Sequence, residues 1–340
     1  MADVGANTNI SLATWISQNG SSLPVITYLP PIVCPLGIFL NLLALCVPLL
    51  KHNRLVSSYV YVGAVALADI AYLLAIFIQW AVYMSYGAIP HAQCLAALFF
   101  QGWFSFFVTL TLMSVTVDRT ICVCFPISHF TYRTWRRALV VSLAMAFLSL
   151  LYALARAVLH DAAFDPRCHV IGSGAATSIY LLVNLATQLS IPLLFLITLD
   201  ILMATRLFSC QAFMGWTLKW KPSRQGTLHR RGTNVTNRDE VPDLDRHLAV
   251  MVLFTGLIYI ILLTPDYVYF ASVFFSQDSP EQRERSFNTS SYEATSYLYV
   301  ICSAIKFFIY VGCSASFRKD LKFAFSVVGG WFFLLRQRVT

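Results

Sequence analysis

The chain has 340 residues, of which 58% are hydrophobic and 12% charged, and its formal net charge is +8. Soluble domains carry about 25% charged residues, so this composition excludes a soluble enzyme or binding domain and points to an integral membrane protein. The basic residues gather in a few short segments, which reads as membrane topology and not as nucleic-acid binding.

From Met1 to Ser22 there is neither Lys nor Arg and no apolar core, so the first spanning helix is expected to direct insertion without a cleaved signal peptide. Seven apolar runs reach the ~20 residues that a bilayer span needs. They cover about 25–50, 57–84, 94–122, 138–160, 177–207, 246–275 and 293–313. An odd count puts the two termini on opposite sides. Lys51, Arg54, Arg136, Arg137, Arg230, Arg231, Arg318 and Lys319 share the side of the first loop and the C-terminus, while the other side keeps Arg167, Arg283 and Arg285. Positive charge stays in the cytosol, so the N-terminus is expected outside. The sequons at Asn9, Asn19 and Asn288 then face outward as candidate glycosylation sites, and that at Asn234 faces the cytosol. Of nine cysteines, Cys94 and Cys168 face the oxidising side. The expected organisation is an outer tail over 1–24, a spanning domain over 25–313 with a basic inner loop at about 208–245, and a cytosolic end over 314–340.

Polar residues inside the runs are few. The first run holds Gly37-Ile38-Phe39-Leu40-Asn41 and the second Val65-Ala66-Leu67-Ala68-Asp69, which places Asp69 about 12 residues, roughly 18 Å, from the run's start. A carboxylate at that depth is costly, so a functional role is the default reading. The third run ends in Asp118-Arg119-Thr120, 25 residues after Cys94 and therefore roughly 37 Å away, a full bilayer thickness. Arg156 lies near the outer end of the fourth, where it can snorkel to the headgroups. The fifth carries Pro192 and Asp200. The sixth has Leu262-Leu263-Thr264-Pro265-Asp266, where the proline removes a backbone hydrogen bond and makes a hinge. The seventh has Lys306-Phe307-Phe308-Ile309-Tyr310, followed by Phe317-Arg318-Lys319. Phe317, Leu321, Phe325 and Val328, with Lys and Arg between them, suit a helix lying on the inner leaflet. The expected fold is all-α: a seven-transmembrane helix bundle with a short amphipathic eighth helix.

Taken in this order, over roughly residues 25–325, the motifs resemble those of the rhodopsin-like (class A) G protein-coupled receptors. Asp118-Arg119-Thr120 is similar to the family's D-R-Y, Gly37 to Asn41 to its G-x-x-x-N, and Val65 to Asp69 to its L-A-x-A-D. Leu262 to Pro265 resembles C-W-x-P with Leu263 for the Trp, and Lys306 to Tyr310 resembles N-P-x-x-Y with Lys306 for the Asn and Phe307 for the Pro. This last form is nearest in character to the FMRFamide and orphan neuropeptide receptors. The resemblance implies a Cys94–Cys168 bridge and a switch that couples to a G protein through Asp118, Arg119, Asp200, Asp245, Pro265 and Tyr310. Within it Asp245 is the acid that pairs with Arg119, and Asp200, which replaces a tyrosine, has the depth to offer Arg119 another carboxylate. Asn41, Asp69 and Lys306 form an expected central polar cluster. Their similar depths, roughly 15–18 Å from the inner face, together with the resemblance, which implies that the second-run acid and the residue at Lys306 are neighbours, predict an Asp69–Lys306 ion pair in place of the sodium ion that many such receptors hold. Val108 stands where the family has a sodium-binding serine.

Gln101 occupies the place where amine receptors keep an aspartate, which argues against an amine ligand. Val300 occupies the place of the retinal lysine in opsins, so Lys306 is off register for a Schiff base. A peptide is the expected ligand, with Gln101, Ser105, Asp266, Tyr267 and Tyr297 as binding candidates among the aromatics Phe99, Trp103 and Tyr269. Asp266 is either the counter-ion of a cationic ligand group or a structural partner of Arg156 or Tyr297. The expected partners are an extracellular peptide, a heterotrimeric G protein and membrane lipids, at the plasma membrane; no enzymatic activity, cofactor, metal or nucleic acid is expected. Three other readings stay open. The altered switch motifs suit a receptor fold that no longer signals, a lysine in the seventh run keeps an opsin-like receptor open, and Asp69, Asp200, Asp266 and Lys306 could line the path of an ion-coupled transporter.

Overall fold

The computed structural model describes residues 24–50, 57–86, 90–124, 134–163, 179, 182–218, 240–275 and 289–326, with side chains left undescribed at several helix ends, among them 207–218 and 240–247. Eight helices cover nearly all of them: α1 (Pro24–Leu49), α2 (Ser57–Tyr86), α3 (His91–Cys124), α4 (Trp135–Ala163), α5 (Ile191–Leu218), α6 (Glu240–Phe275), α7 (Thr289–Cys313) and α8 (Ala315–Ser326). In hydrocarbon each backbone N–H and C=O must be satisfied within its own segment, which leaves the helix as the only form for isolated apolar runs of this length. Among the described residues, α1 to α4 and α6 each contain a stretch long and apolar enough to cross a membrane, as does Leu182–Arg206, which runs into α5; α7 counts as a seventh span together with α8, to which it is joined at a 105° bend. Helical backbone continues to Leu218 and resumes at Glu240, inside the inner loop expected at about 208–245.

The prolines act differently from one another. Pro30, Pro31, Pro35 and Pro48 sit within α1 without ending it. Pro192 is preceded by a π-helical turn, Leu185–Ser190, which hydropathy did not predict. Its ring crowds the carbonyl four residues back, so the chain widens by one residue: the Ile191 N–H donates to Ala186 O, and Ser190 Oγ donates to Leu185 O at 2.8 Å. Pro265 is carried inside α6, with Thr264 Oγ1 donating to Ile260 O at 2.7 Å just before it.

The helices close into a ring. α1 packs on α2 and α7, α7 on α6, and α6 on α5, while α3 crosses the centre and touches α2, α4, α5 and α6. Beyond α7 the chain turns at Ser314, whose hydroxyl accepts the Phe317 N–H at 3.1 Å as an N-cap. Arg318 Nη1 donates to the Val311 and Gly312 carbonyls at 2.8 and 3.1 Å, satisfying acceptors at the end of α7. Phe317 is fully buried, its ring 5.7 Å from Tyr310 and 6.3 Å from Phe307, and Tyr59 Oη donates to Asp320 Oδ2 at 2.8 Å. α8 is thereby tied to α2 as well as to α7.

Candidate functional site

The deepest polar group is built by α1, α2 and α7. Gly37 allows α1 to approach closely, since a Cβ there would lie 2.7 Å from Leu73 Cδ1 and 2.9 Å from Ala304 Cβ. One turn along, Asn41 Nδ2 donates to Gly37 O and, across the interface, to Ser303 O, both at 2.9 Å. That bond holds the α7 backbone beside α1. Lys306 Nζ then meets Asp69, 2.8 Å from both Oδ1 and Oδ2, with the two residues 1% and 0% exposed. Neither charge could stay in this interior alone; each is held because the other neutralises it in a two-oxygen, charge-assisted geometry. The structure thus brings Asn41, Asp69 and Lys306 into one cluster, joining three helices.

At the far end of α3, Arg119 is fully buried. Its Nη2 lies 2.5 Å and its Nε 3.1 Å from Asp118 Oδ2, and Nη2 also donates to Ser57 Oγ at 3.3 Å. Ser57 in turn donates to Asp118 Oδ2 at 3.3 Å, so α2 closes a three-residue network that the sequence reading missed. A polar residue opening the second span was the available signal. Asp200 does not join this network. It is 3% exposed, neither of its carboxylate oxygens has a hydrogen-bond partner among the described residues, and it packs on α6 at Gly256, where any Cβ would collide with it. The expected second carboxylate for Arg119 is therefore turned to the α5–α6 seam. Tyr310 is buried beside Leu248 and Met251 of α6 and against Phe317. Pro265 is exposed on α6.

Toward the Cys94 end, polar groups from several helices converge on α3. Gln101 Nε2 donates to Gln79 Oε1 at 2.5 Å, Gln188 Nε2 donates to Ser105 Oγ at 3.4 Å, and Tyr299 Oη donates to Ser105 O at 3.2 Å. One turn deeper, Thr109 bonds Tyr259 Oη. Gln79, Gln188, Tyr259 and Tyr299 were not picked out from the sequence, although two glutamines inside apolar runs are a legible signal. Asp266, Tyr267 and Tyr297 are half-buried in the same half of the bundle. Trp103 departs from the expected pocket: it faces α4 and donates to Ala146 O at 3.2 Å. Arg156 also departs from expectation. Rather than reaching for headgroups, it lies on α3 at Gly102, whose missing side chain makes room; a Cβ there would be 2.9 Å from Arg156 Nη1.

Six described cysteines (Cys34, Cys46, Cys122, Cys124, Cys302 and Cys313) are free thiols, and Cys94, buried at the start of α3, is not among them. Cys168, Asn9, Asn19 and Asn288 lie outside the described residues, as does the side chain of Asp245.

The arrangement is a helical ring with a buried arginine network at one end, an ion pair at its centre and a neutral polar cluster at the other end. Comparison with protein-family models finds a match to "7 transmembrane receptor (rhodopsin family)" over residues 40–313, which takes in the Asn41 cluster, the Arg119 network and the whole of α7. The chain belongs to the rhodopsin family of seven-transmembrane receptors.

Proposed function

We propose that this receptor binds an extracellular peptide and transmits the event to a heterotrimeric G protein, from the plasma membrane and with its N-terminus outside. Family membership implies an extracellular ligand and a G protein. The observation that carries the peptide reading is the neutral polar cluster on α3. Gln101, Gln79, Ser105, Gln188 and Tyr299 offer amide and hydroxyl groups from four segments and no carboxylate, which suits backbone amides of a peptide better than the ammonium of a small amine. Asp266 at the same end is the proposed counter-ion for a cationic side chain of that peptide.

At the other end, Arg119 is withdrawn into its network with Asp118 and Ser57. Releasing it is the proposed step that exposes a cationic surface to the G protein, with α6 moving about its proline. The central residues do not fit a sodium ion, because the Lys306 ammonium occupies both carboxylate oxygens of Asp69 and Val108 offers no oxygen. Lys306 is proposed to do the neutralising work that the ion does elsewhere in the family.

The test is G-protein nucleotide exchange in membranes that carry the receptor, challenged with basic and neutral peptide pools and with monoamines. Exchange stimulated by a peptide pool supports the reading. Stimulation by monoamines alone overturns the ligand class, and peptide binding without exchange would instead identify a non-signalling decoy.

A further inference from the structure

A crevice of about 410 Å³ lies between α2, α3, α4 and α5 in the Arg119 half of the bundle. That volume is within the range of roughly 300–1,000 Å³ that holds small ligands. Much of its lining is apolar, from Leu110, Met113, Val117, Val141 and Met145. The α3 lining runs from Leu110 to Ile121, eleven residues or roughly 16 Å along the axis, so the shape is a slot and not a bowl. Ile121 and Phe195, 40% and 39% exposed, stand on the rim, which places the opening on the lipid-facing surface.

The charged lining gathers at one end of the slot, where Asp118 and Arg137 stand with Ser57 and Thr134; Tyr61 and Ser114 also line it, the Ser114 hydroxyl donating to Leu110 O at 2.8 Å. Thr134 Oγ1 accepts the Arg137 N–H at 3.4 Å, which orders the start of α4, and Arg137 is exposed there. The neighbouring Trp135 is 36% exposed with the Arg136 guanidinium 5.6 Å from its ring centre, the pairing of aromatic and cation that marks the headgroup level. Asp118 brings no net repulsion for an anion, because Arg119 lies against it. A long apolar slot open sideways to lipid, with a cation at its headgroup end, matches one ligand chemistry: an acyl chain joined to an anionic head. The inner leaflet supplies that chemistry in the plane of the opening.

We propose that this crevice binds one acyl chain of an anionic inner-leaflet phospholipid, with the lipid phosphate held at Arg137. Because Asp118 and Ser57 line the slot and also hold Arg119, an occupied crevice touches the arginine network directly. The proposal rests on the orientation given above, which glycosylation of Asn9 or Asn19 reports independently.

Purified receptor should be reconstituted in nanodiscs of phosphatidylcholine with a minor share of phosphatidylserine, then transferred to mild detergent for native mass spectrometry. The native protein is expected to retain phosphatidylserine preferentially. Arg137→Ala should lower retention about fivefold, as about 1 kcal/mol for one cation near the membrane surface implies. Val117→Trp, which fills the slot, should abolish it, while Lys322→Ala on α8 should leave it unchanged. Retention that survives both Arg137→Ala and Val117→Trp, or that falls as far with Lys322→Ala, overturns the site. Should the variants fold poorly, a photoactivatable acyl-chain phosphatidylserine on the native protein decides: crosslinks within 110–121 and 135–145 support the proposal, and crosslinks confined to other segments overturn it.

Discussion

Lys306 Nζ sits 2.8 Å from each carboxylate oxygen of Asp69, joining α7 to α2 through an ion pair that solvent does not reach. A pair of this kind is weak as a source of net stability but costly to halve, since removing one partner strands the other charge. Lys306→Met should destabilise the receptor by about 3–5 kcal/mol and reduce the folded yield, and Asp69→Leu combined with Lys306→Met should recover part of that loss. Thermal unfolding in sodium chloride against choline chloride provides the check on the second consequence. The native receptor should show no sodium-specific stabilisation, whereas Lys306→Asn, which frees the Asp69 oxygens, should acquire one. Strong sodium dependence of the native protein would mean that the pair opens to admit the ion.

Asp200 is a buried carboxylate without a hydrogen-bond partner among the described residues, and an unsatisfied polar group of this kind costs about 1–3 kcal/mol. Asp200→Leu should therefore raise thermal stability. Because Arg119 is held by Asp118 and Ser57, the same substitution should leave ligand-free nucleotide exchange unchanged. A rise in basal exchange would show that Asp200 restrains Arg119 after all. Gly256→Ala makes the complementary test: its Cβ would strike Asp200, so the α5–α6 seam must shift and stability should fall by about 1–3 kcal/mol.

The proposed Cys94–Cys168 bridge would pin the loop between α4 and α5 to the outer start of α3. Cys168→Ser should cost about 2–4 kcal/mol, and Cys94→Ser should cost the same with no further loss in the double variant. Non-reducing peptide mapping that finds both thiols free would remove the bridge.

For Asp266, the counter-ion role predicts that Asp266→Asn weakens the potency of a cationic peptide by tenfold or more, in line with about 1.5–3 kcal/mol for a charge-assisted bond. Surface expression should hold. A fall in expression with unchanged potency would assign Asp266 to the structure of the bundle instead.

Hydropathy and residue counting determined how many helices cross and how deep each polar residue lies, because a helix advances 1.5 Å per residue whatever surrounds it. Asp69 and Lys306 were legible as a pair across 237 positions because their depths match and because the resemblance implies that these two places are neighbours, while the Asp118-Arg119 end and the turn into α8 were placed by the same resemblance. Azimuth was another matter. In an apolar span every face is greasy, so no polar stripe tells which way a given residue points. Asp200 has the depth to meet Arg119, yet the rotation of α5 turns it to Gly256, and Trp103 turns to α4 instead of the pocket. The π-turn before Pro192 adds to this by offsetting the residues ahead of it against those that follow. Depth follows from the chain alone, whereas the direction of each side chain is decided by which neighbours leave room for it, as Gly37, Gly102 and Gly256 do for Leu73, Arg156 and Asp200.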